Sequence, residues 1–151
     1  MELSALIAPG LIFPHFQSID RASLLRELAG RLVQHGVVED AEDLYTRLME
    51  REELASTGIG DGVAIPHCKV EGLEEVALAI VRLDRGIPFG ARDEKPVRLF
   101  FCVVSPESQP AAHLQCLQAI SRWLQGEGRA DRLLALDDPD AIYQLLREDQ
   151  D

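Results

Sequence analysis

Two apolar runs constrain this chain more than any other feature. Val76-Ala77-Leu78-Ala79-Ile80-Val81-Arg82-Leu83 and Val97-Arg98-Leu99-Phe100-Phe101-Cys102-Val103-Val104 are apolar at consecutive rather than alternate positions. Each reads as a strand covered on both faces. A sheet of that kind needs a layer on either side, and the flanking periodicity supplies helices. From Asp20, Leu24, Leu28 and Leu32 recur on one face with Leu25 and Val33 beside them, and Gly36 stands where a C-terminal cap belongs. Asp40 can cap a second helix with Leu44, Leu48 and Met49 on its buried side. Beyond Ser105-Pro106, Ser108 or Gln109 can cap a third, with Pro110 in its first turn and an apolar stripe of Leu114, Leu117, Ile120 and Leu124. Arg129–Leu136 reads as a short helix, and Asp138-Pro139 opens a last one carrying Ile142, Leu145 and Leu146. Leu11-Ile12-Phe13, between Gly10 and Pro14, is a candidate edge strand, and the tail over 148–151 is polar and expected to fray. The expected fold is α/β, a single three-layer domain over residues 1–151.

Composition narrows the class of function. The 151 residues, 46% of them hydrophobic, suffice for one real core. Against 15 basic residues stand 26 acidic ones, a net charge of −11. That balance disfavours nucleic acid and anionic membrane surfaces and favours a basic protein partner. The longest apolar stretches, Val76–Val81 and Leu99–Val104, are far short of the roughly 18 residues of a membrane span, and the start of the chain lacks the pattern of a signal peptide. Cys68, Cys102 and Cys116 follow no disulfide or zinc spacing, which suits a reducing cytoplasm, with Cys102 and Cys116 as small apolar fillers.

The candidate chemistry lies between the second helix and the first core strand, in Arg51-Glu52-Glu53-Leu54-Ala55-Ser56-Thr57-Gly58-Ile59-Gly60-Asp61-Gly62-Val63-Ala64-Ile65-Pro66-His67-Cys68. Glycines at 58, 60 and 62 permit positive φ and uncover backbone amides, which suits an anion. Val63–Ile65 would anchor the loop in the sheet. Pro66 cannot donate to a ladder, so the strand is expected to stop where His67 emerges, followed by a polar loop over 69–75. No helix-opening Gly-Lys-Ser/Thr follows the glycines, which argues against a nucleotide phosphate loop.

The run Ser56-Thr57-Gly58-Ile59-Gly60, then Gly62-Val63-Ala64-Ile65-Pro66-His67, closely resembles the active-site signature of fructose/mannitol-type enzyme IIA domains of the bacterial phosphoenolpyruvate-dependent phosphotransferase system. The resemblance implies their fold, a mixed central sheet with helices on both faces. It implies that His67 carries a phosphoryl group on Nε2, that Arg51 of the Arg51-Glu52 pair lies at the site, and that His113 matches a second histidine close to the first. Ile87-Pro88-Phe89, Asp93 and Pro96-Val97 look most like the nitrogen-regulatory branch. The implied partners are a small HPr-like phosphocarrier and an EIIB or regulatory protein, and the alternative is a sugar-specific transport component. Cys68 departs from the commoner glycine after the histidine.

The physical case runs beside the resemblance. A neutral imidazole attacks phosphorus at neutral pH, and the transfer is mostly alignment and neutralisation of equatorial oxygens. Arg51, the Ser56 and Thr57 hydroxyls and the Gly58 and Gly60 amides are candidate donors, and no metal, nucleotide or other cofactor is required. Blander roles stand beside these. Ser56 and Thr57 can simply shape a turn, Arg51 can pair with Glu52 or Glu53, and His113 can be a helix residue beside the apolar stripe. His15, in a second Pro-His dipeptide, and His35, in a last helical turn, read as surface residues. Two other classes remain: a metal site from His67, Cys68, His113 and Cys116, and a binding module in which His67 accepts nothing.

Overall fold

The computed structural model describes residues 2–148. The two apolar runs form β5 (Ala77–Ile87) and β6 (Val97–Pro106), paired antiparallel with Leu78 opposite Val103 and Ile80 opposite Phe101. β1 (Ile7–Phe16) lies parallel to β5 at one edge. On the other side of β6, β3 (Val63–Ala64) and β4 (His67–Val70) run parallel to it in one line, and β2 (Gly58–Gly60) pairs antiparallel with β3. The result is a six-stranded mixed sheet.

Strand alternation divides the core in two. Ala79, Val81, Phe100, Cys102 and Val104 face Leu24, Leu25, Leu28 and Leu32 of α1 (Arg21–Gln34) and Leu44 and Leu48 of α2 (Ala41–Leu54). Leu78, Ile80, Leu99, Phe101 and Val103 face Cys116, Ile120 and Trp123 of α3 (Pro110–Leu124), Leu133 of α4 (Arg129–Leu134) and Ile142, Leu145 and Leu146 of α5 (Pro139–Glu148). Each buried Leu or Phe contributes about 1.5–3 kcal/mol, so both strand faces are needed to offset chain entropy. The expected three layers are present. Arg82, the charge inside an apolar run, is accommodated because its guanidinium donates to the carbonyls of Leu134 (2.9 Å) and Pro14 (3.1 Å) and to Asp84 (2.7 Å). The helix starts follow the caps: Asp20 accepts from the Ser23 amide at 2.8 Å and Asp40 from the Asp43 amide at 3.1 Å.

Several boundaries differ from expectation. β1 runs through Gly10 and Pro14, which an edge strand tolerates, with an irregular register between Ile7 and Ile12. β5 continues past Leu83 to Ile87, and β6 takes in Ser105-Pro106. α3 is rotated from its expected stripe. His113, Cys116, Ala119, Ile120 and Trp123 are buried, while Leu114 is 55% exposed. Trp123 packs against Phe101 of β6, ring centroids 6.0 Å apart, and this large contact with the sheet sets the phase. The polar tail lies, from residue 149 on, outside the described residues.

Candidate active site

β3 stops at Ala64, but Pro66 does not carry the chain away from the sheet. Its ring removes a donor, but its carbonyl still accepts the Val103 amide at 2.9 Å, so the chain stays against β6 and His67 opens β4 opposite Val103. His67 is thus held by the sheet, half-buried, and Lys69 and Val70 belong to the strand rather than to a loop. Its Nδ1 lies 2.7 Å from the Ile65 carbonyl oxygen, which can only accept, so Nδ1 carries the hydrogen and Nε2 the lone pair. Arg51 agrees with that tautomer, donating from Nε to His67 Nε2 at 3.2 Å. Arg51 sits in the last turn of α2, where its Nη1 also donates to the Ala55 carbonyl at 2.8 Å, one of the groups a helix end leaves unsatisfied. Burial pulls the His67 pKa below its usual 6.5, and the charges of Arg51 and Lys69 act in the same direction against the Ile65 hydrogen bond. The ring is neutral at neutral pH.

His113 is brought to it from α3, with ring centroids 5.4 Å apart. It is 8% exposed, and its Nδ1 lies 2.7 Å from the hydroxyl of the fully buried Ser105 on β6. Burial, with the neighbouring His67 and Lys69, pushes its pKa down to about 4.

The loop residues are arranged differently. Ser56 donates to the Phe89 carbonyl at 2.9 Å and accepts the Gly58 amide at 3.0 Å. Thr57 is buried, and its hydroxyl and amide both go to Glu52. Both hydroxyl hydrogens are therefore already engaged, one by the Phe89 carbonyl beyond β5 and one by Glu52 of α2. Gly58 has no room for a side chain, since a Cβ there would lie 2.7 Å from Ala91. Gly60, at φ +96°, pairs with Val63, four residues before His67, and so sits roughly 13 Å along the sheet from the imidazole. It is not brought to the ring.

The other histidines stay away. His15 is exposed on β1, at the sheet edge opposite β4. His35 caps α1, its Nδ1 2.8 Å from the Arg31 carbonyl and its ring edge-on to Phe13. The four-residue metal reading is overturned. Cys68 packs in the core on the α1/α2 face and Cys116 in the core on the α3 face, so the sheet separates them. Among the described residues no group of three or more His, Cys, Asp or Glu side chains is arranged to hold a metal. Burial pushes the Cys68 thiol up to about 12 and that of Cys116 to about 11.

Ser105 went unmarked as a site residue in the sequence, and Glu52 figured there only beside Arg51, as a possible ion-pair partner. Glu52 does not pair with Arg51; it turns inward, 2% exposed, beneath Thr57. A signal existed, because Leu44, Leu48 and Glu52 fall at successive spacings of four on one helix face. Ser105 carried no such mark.

The chain matches, over residues 5–149, the family described as phosphoenolpyruvate-dependent sugar phosphotransferase system, EIIA 2. A nitrogen regulatory protein of Bradyrhizobium diazoefficiens is 36% identical over 146 residues, covering 97% of this chain and 95% of that protein. A fructose-specific EIIA component of Haloferax volcanii is 36% identical over 116 residues, 77% of this chain and 75% of that protein. The crystal structure of nitrogen regulatory protein IIA-Ntr from Neisseria meningitidis superposes with a TM-score of 0.87 at 26% identity, covering 95% of this chain and 97% of that one. Enzyme IIA mannitol of Escherichia coli, solved in complex with phosphorylated enzyme IIB mannitol, shares the fold with a TM-score of 0.78 at 20% identity, over 95% of this chain and 99% of that one. Sequence match and superposition both span nearly the whole chain, and the protein belongs to the EIIA 2 family of the phosphoenolpyruvate-dependent phosphotransferase system.

Proposed function

We propose that this chain, as a single domain over 1–151, is a cytoplasmic phosphocarrier of the nitrogen-regulatory branch, whose His67 takes a phosphoryl group on Nε2 from the phosphohistidine of a small HPr-like protein. The observation that carries the reading is the pair of contacts on the His67 ring: Nδ1–H on the Ile65 carbonyl and Arg51 Nε at 3.2 Å from Nε2. The first leaves a lone pair on one nitrogen only. The second keeps a permanent cation where phosphoryl oxygens arrive. In the transfer, the Nε2 lone pair forms the new N–P bond as the donor's N–P bond breaks. The donor ring, protonated at its other nitrogen, leaves as neutral imidazole with the electron pair of the broken bond. His67 becomes a phosphoimidazolium that retains its Nδ1–H on Ile65. Arg51 moves from the lone pair to the phosphoryl oxygens, and neutral His113 completes the wall of the site. Ser56, Thr57 and Gly58 shape the loop backbone, and Gly60 serves the hairpin.

The nitrogen regulatory relatives support the regulatory branch. Phosphorylation adds roughly −1.5 to −2 of charge by analogy with other phosphoresidues, which changes the surfaces that can dock around His67. No described helix is long and apolar enough to cross a membrane, in keeping with partners met in solution. The fructose-specific relative favours a second reading, in which the group passes to an EIIB partner. Intact mass after incubation with phosphoenolpyruvate, the general phosphotransferase enzyme and an HPr-like carrier tests the proposal. One phosphoryl group should appear, be lost in acid, be absent in His67→Ala and persist in His15→Ala and His35→Ala. No label from an active donor chain refutes it and leaves the binding module; discharge onto a fructose EIIB selects the second reading.

A further inference from the structure

The last turn of α2 reaches both nitrogens of the His67 ring. Arg51 touches Nε2 directly. Glu52, the next residue, points to the opposite, buried side, where its two carboxylate oxygens accept the amide (2.9 Å) and the hydroxyl of Thr57. The Thr57 carbonyl in turn accepts the Ile65 amide at 3.1 Å, and the Ile65 carbonyl accepts Nδ1–H of His67 at 2.7 Å. A chain of hydrogen bonds therefore runs from a buried carboxylate to the nitrogen that must stay protonated if Nε2 is to attack. Glu52 continues the core stripe of Leu44 and Leu48, where an apolar residue avoids the desolvation that a carboxylate incurs. Fixing the loop alone does not require a charge at that position.

We infer that Glu52 is a positioning residue for phosphoryl transfer: by anchoring Thr57 it places the Ile65 carbonyl that holds the His67 ring with Nε2 as the acceptor. This rests on the reading of His67 as acceptor. Adjacent residues of one helical turn thus control the two nitrogens, Arg51 the side that reacts and Glu52 the side that does not. The link acts through tautomer and orientation, so its removal changes the imidazole itself as well as the rate.

The test combines nitrogen-15 NMR of the His67 ring in the unphosphorylated protein with initial rates of labelling by the phosphoenolpyruvate-driven donor chain. Glu52→Ala should slow labelling about tenfold or more with the KM for the donor carrier unchanged, and its His67 should show both neutral tautomers. Glu52→Gln can accept the Thr57 amide and donate to the hydroxyl turned around, and should recover the rate to within about threefold with the Nδ1–H pattern restored. If Glu52→Ala does not fold, Thr57→Ala removes the hydroxyl link and keeps the amide bond, and the same spectrum decides. A folded Glu52→Ala protein, or Thr57→Ala in its place, with His67 wholly in the Nδ1–H form overturns the inference, whether its rate is normal or reduced. Failure of the wild-type protein to accept phosphate refutes the proposed function, while the ring spectrum, which needs no phosphate, still decides the positioning role.

Discussion

Replacing Arg51 with alanine separates catalysis from folding. Two contacts are lost: Nε to His67 Nε2 at 3.2 Å and Nη1 to the Ala55 carbonyl at 2.8 Å. The second is partly exposed, and water can replace it, so the stability cost is about 0.5–1.5 kcal/mol, with a further ~0.3–1 kcal/mol for a cation removed from a helix C-terminus. In a domain of this size that lowers Tm by several degrees and leaves the protein folded. The first contact is with the nitrogen we propose as the phosphoryl acceptor. Loss of one preorganised donor costs about 2.7–4 kcal/mol in the transition state, roughly a hundredfold to a thousandfold in rate. The assay is the time course of intact mass with a fixed donor chain at several pH values. Burial is the main reason the His67 pKa lies below 6.5, and the Arg51 charge adds to it. Without Arg51 that pKa rises only part of the way, more imidazolium forms below about pH 6.5, and the deficit widens there. Above that pH it should level off at the hundredfold or greater loss. Arg51→Lys keeps a charge but cannot hold Ala55 and a phosphoryl oxygen together, so its loss should be intermediate. A folded Arg51→Ala protein within fivefold of wild type at pH 8 refutes the donor role, and a deficit that vanishes at high pH reduces Arg51 to a modulator of the His67 pKa.

The pKa of His113, held near 4 in the folded protein against 6.5 for an unperturbed histidine, makes the unfolded chain the better proton acceptor between these values. Stability from this group is complete above about pH 6.5 and declines as pH falls toward 4. The urea midpoint should therefore drop over that window, and drop less in His113→Asn, which can still bond Ser105; identical slopes count against a buried neutral ring. None of the three buried thiols should react with a thiol reagent in the native protein at pH 8 within minutes, and all three should react in guanidinium. The rotated face of α3 predicts that Ile120→Ala, at a fully buried position, costs about 2–5 kcal/mol in denaturant unfolding, while Leu114→Ala, at an exposed one, stays within about 0.5 kcal/mol.

Local chemistry along the chain was enough for a good part of this protein. Asp20 and Asp40 open α1 and α2 where a short acceptor side chain meets helical periodicity, and the consecutive apolar residues of β5 and β6 announce a sheet covered on both sides. These are short-range properties of residues and their neighbours. Resemblance of the run from Ser56 to His67 to the enzyme IIA signature, rather than the glycine spacing alone, singled out one of four histidines, and the fold sets that ring against Arg51 and beside His113. Other features depended on contacts distant in sequence. Pro66 looked like a strand end because its missing donor is visible in the sequence, whereas its carbonyl's partner, Val103, is 37 positions away. Leu114 looked buried until Trp123, packed on Phe101, fixed the rotation of α3. Ser56 and Thr57 could be phosphate donors or turn formers by type, and it is Phe89 and Glu52 that take their hydroxyl hydrogens. In each case a residue's type states which bonds or burial it can have, and only the packing of helices on the sheet decides which partner is within about 3 Å.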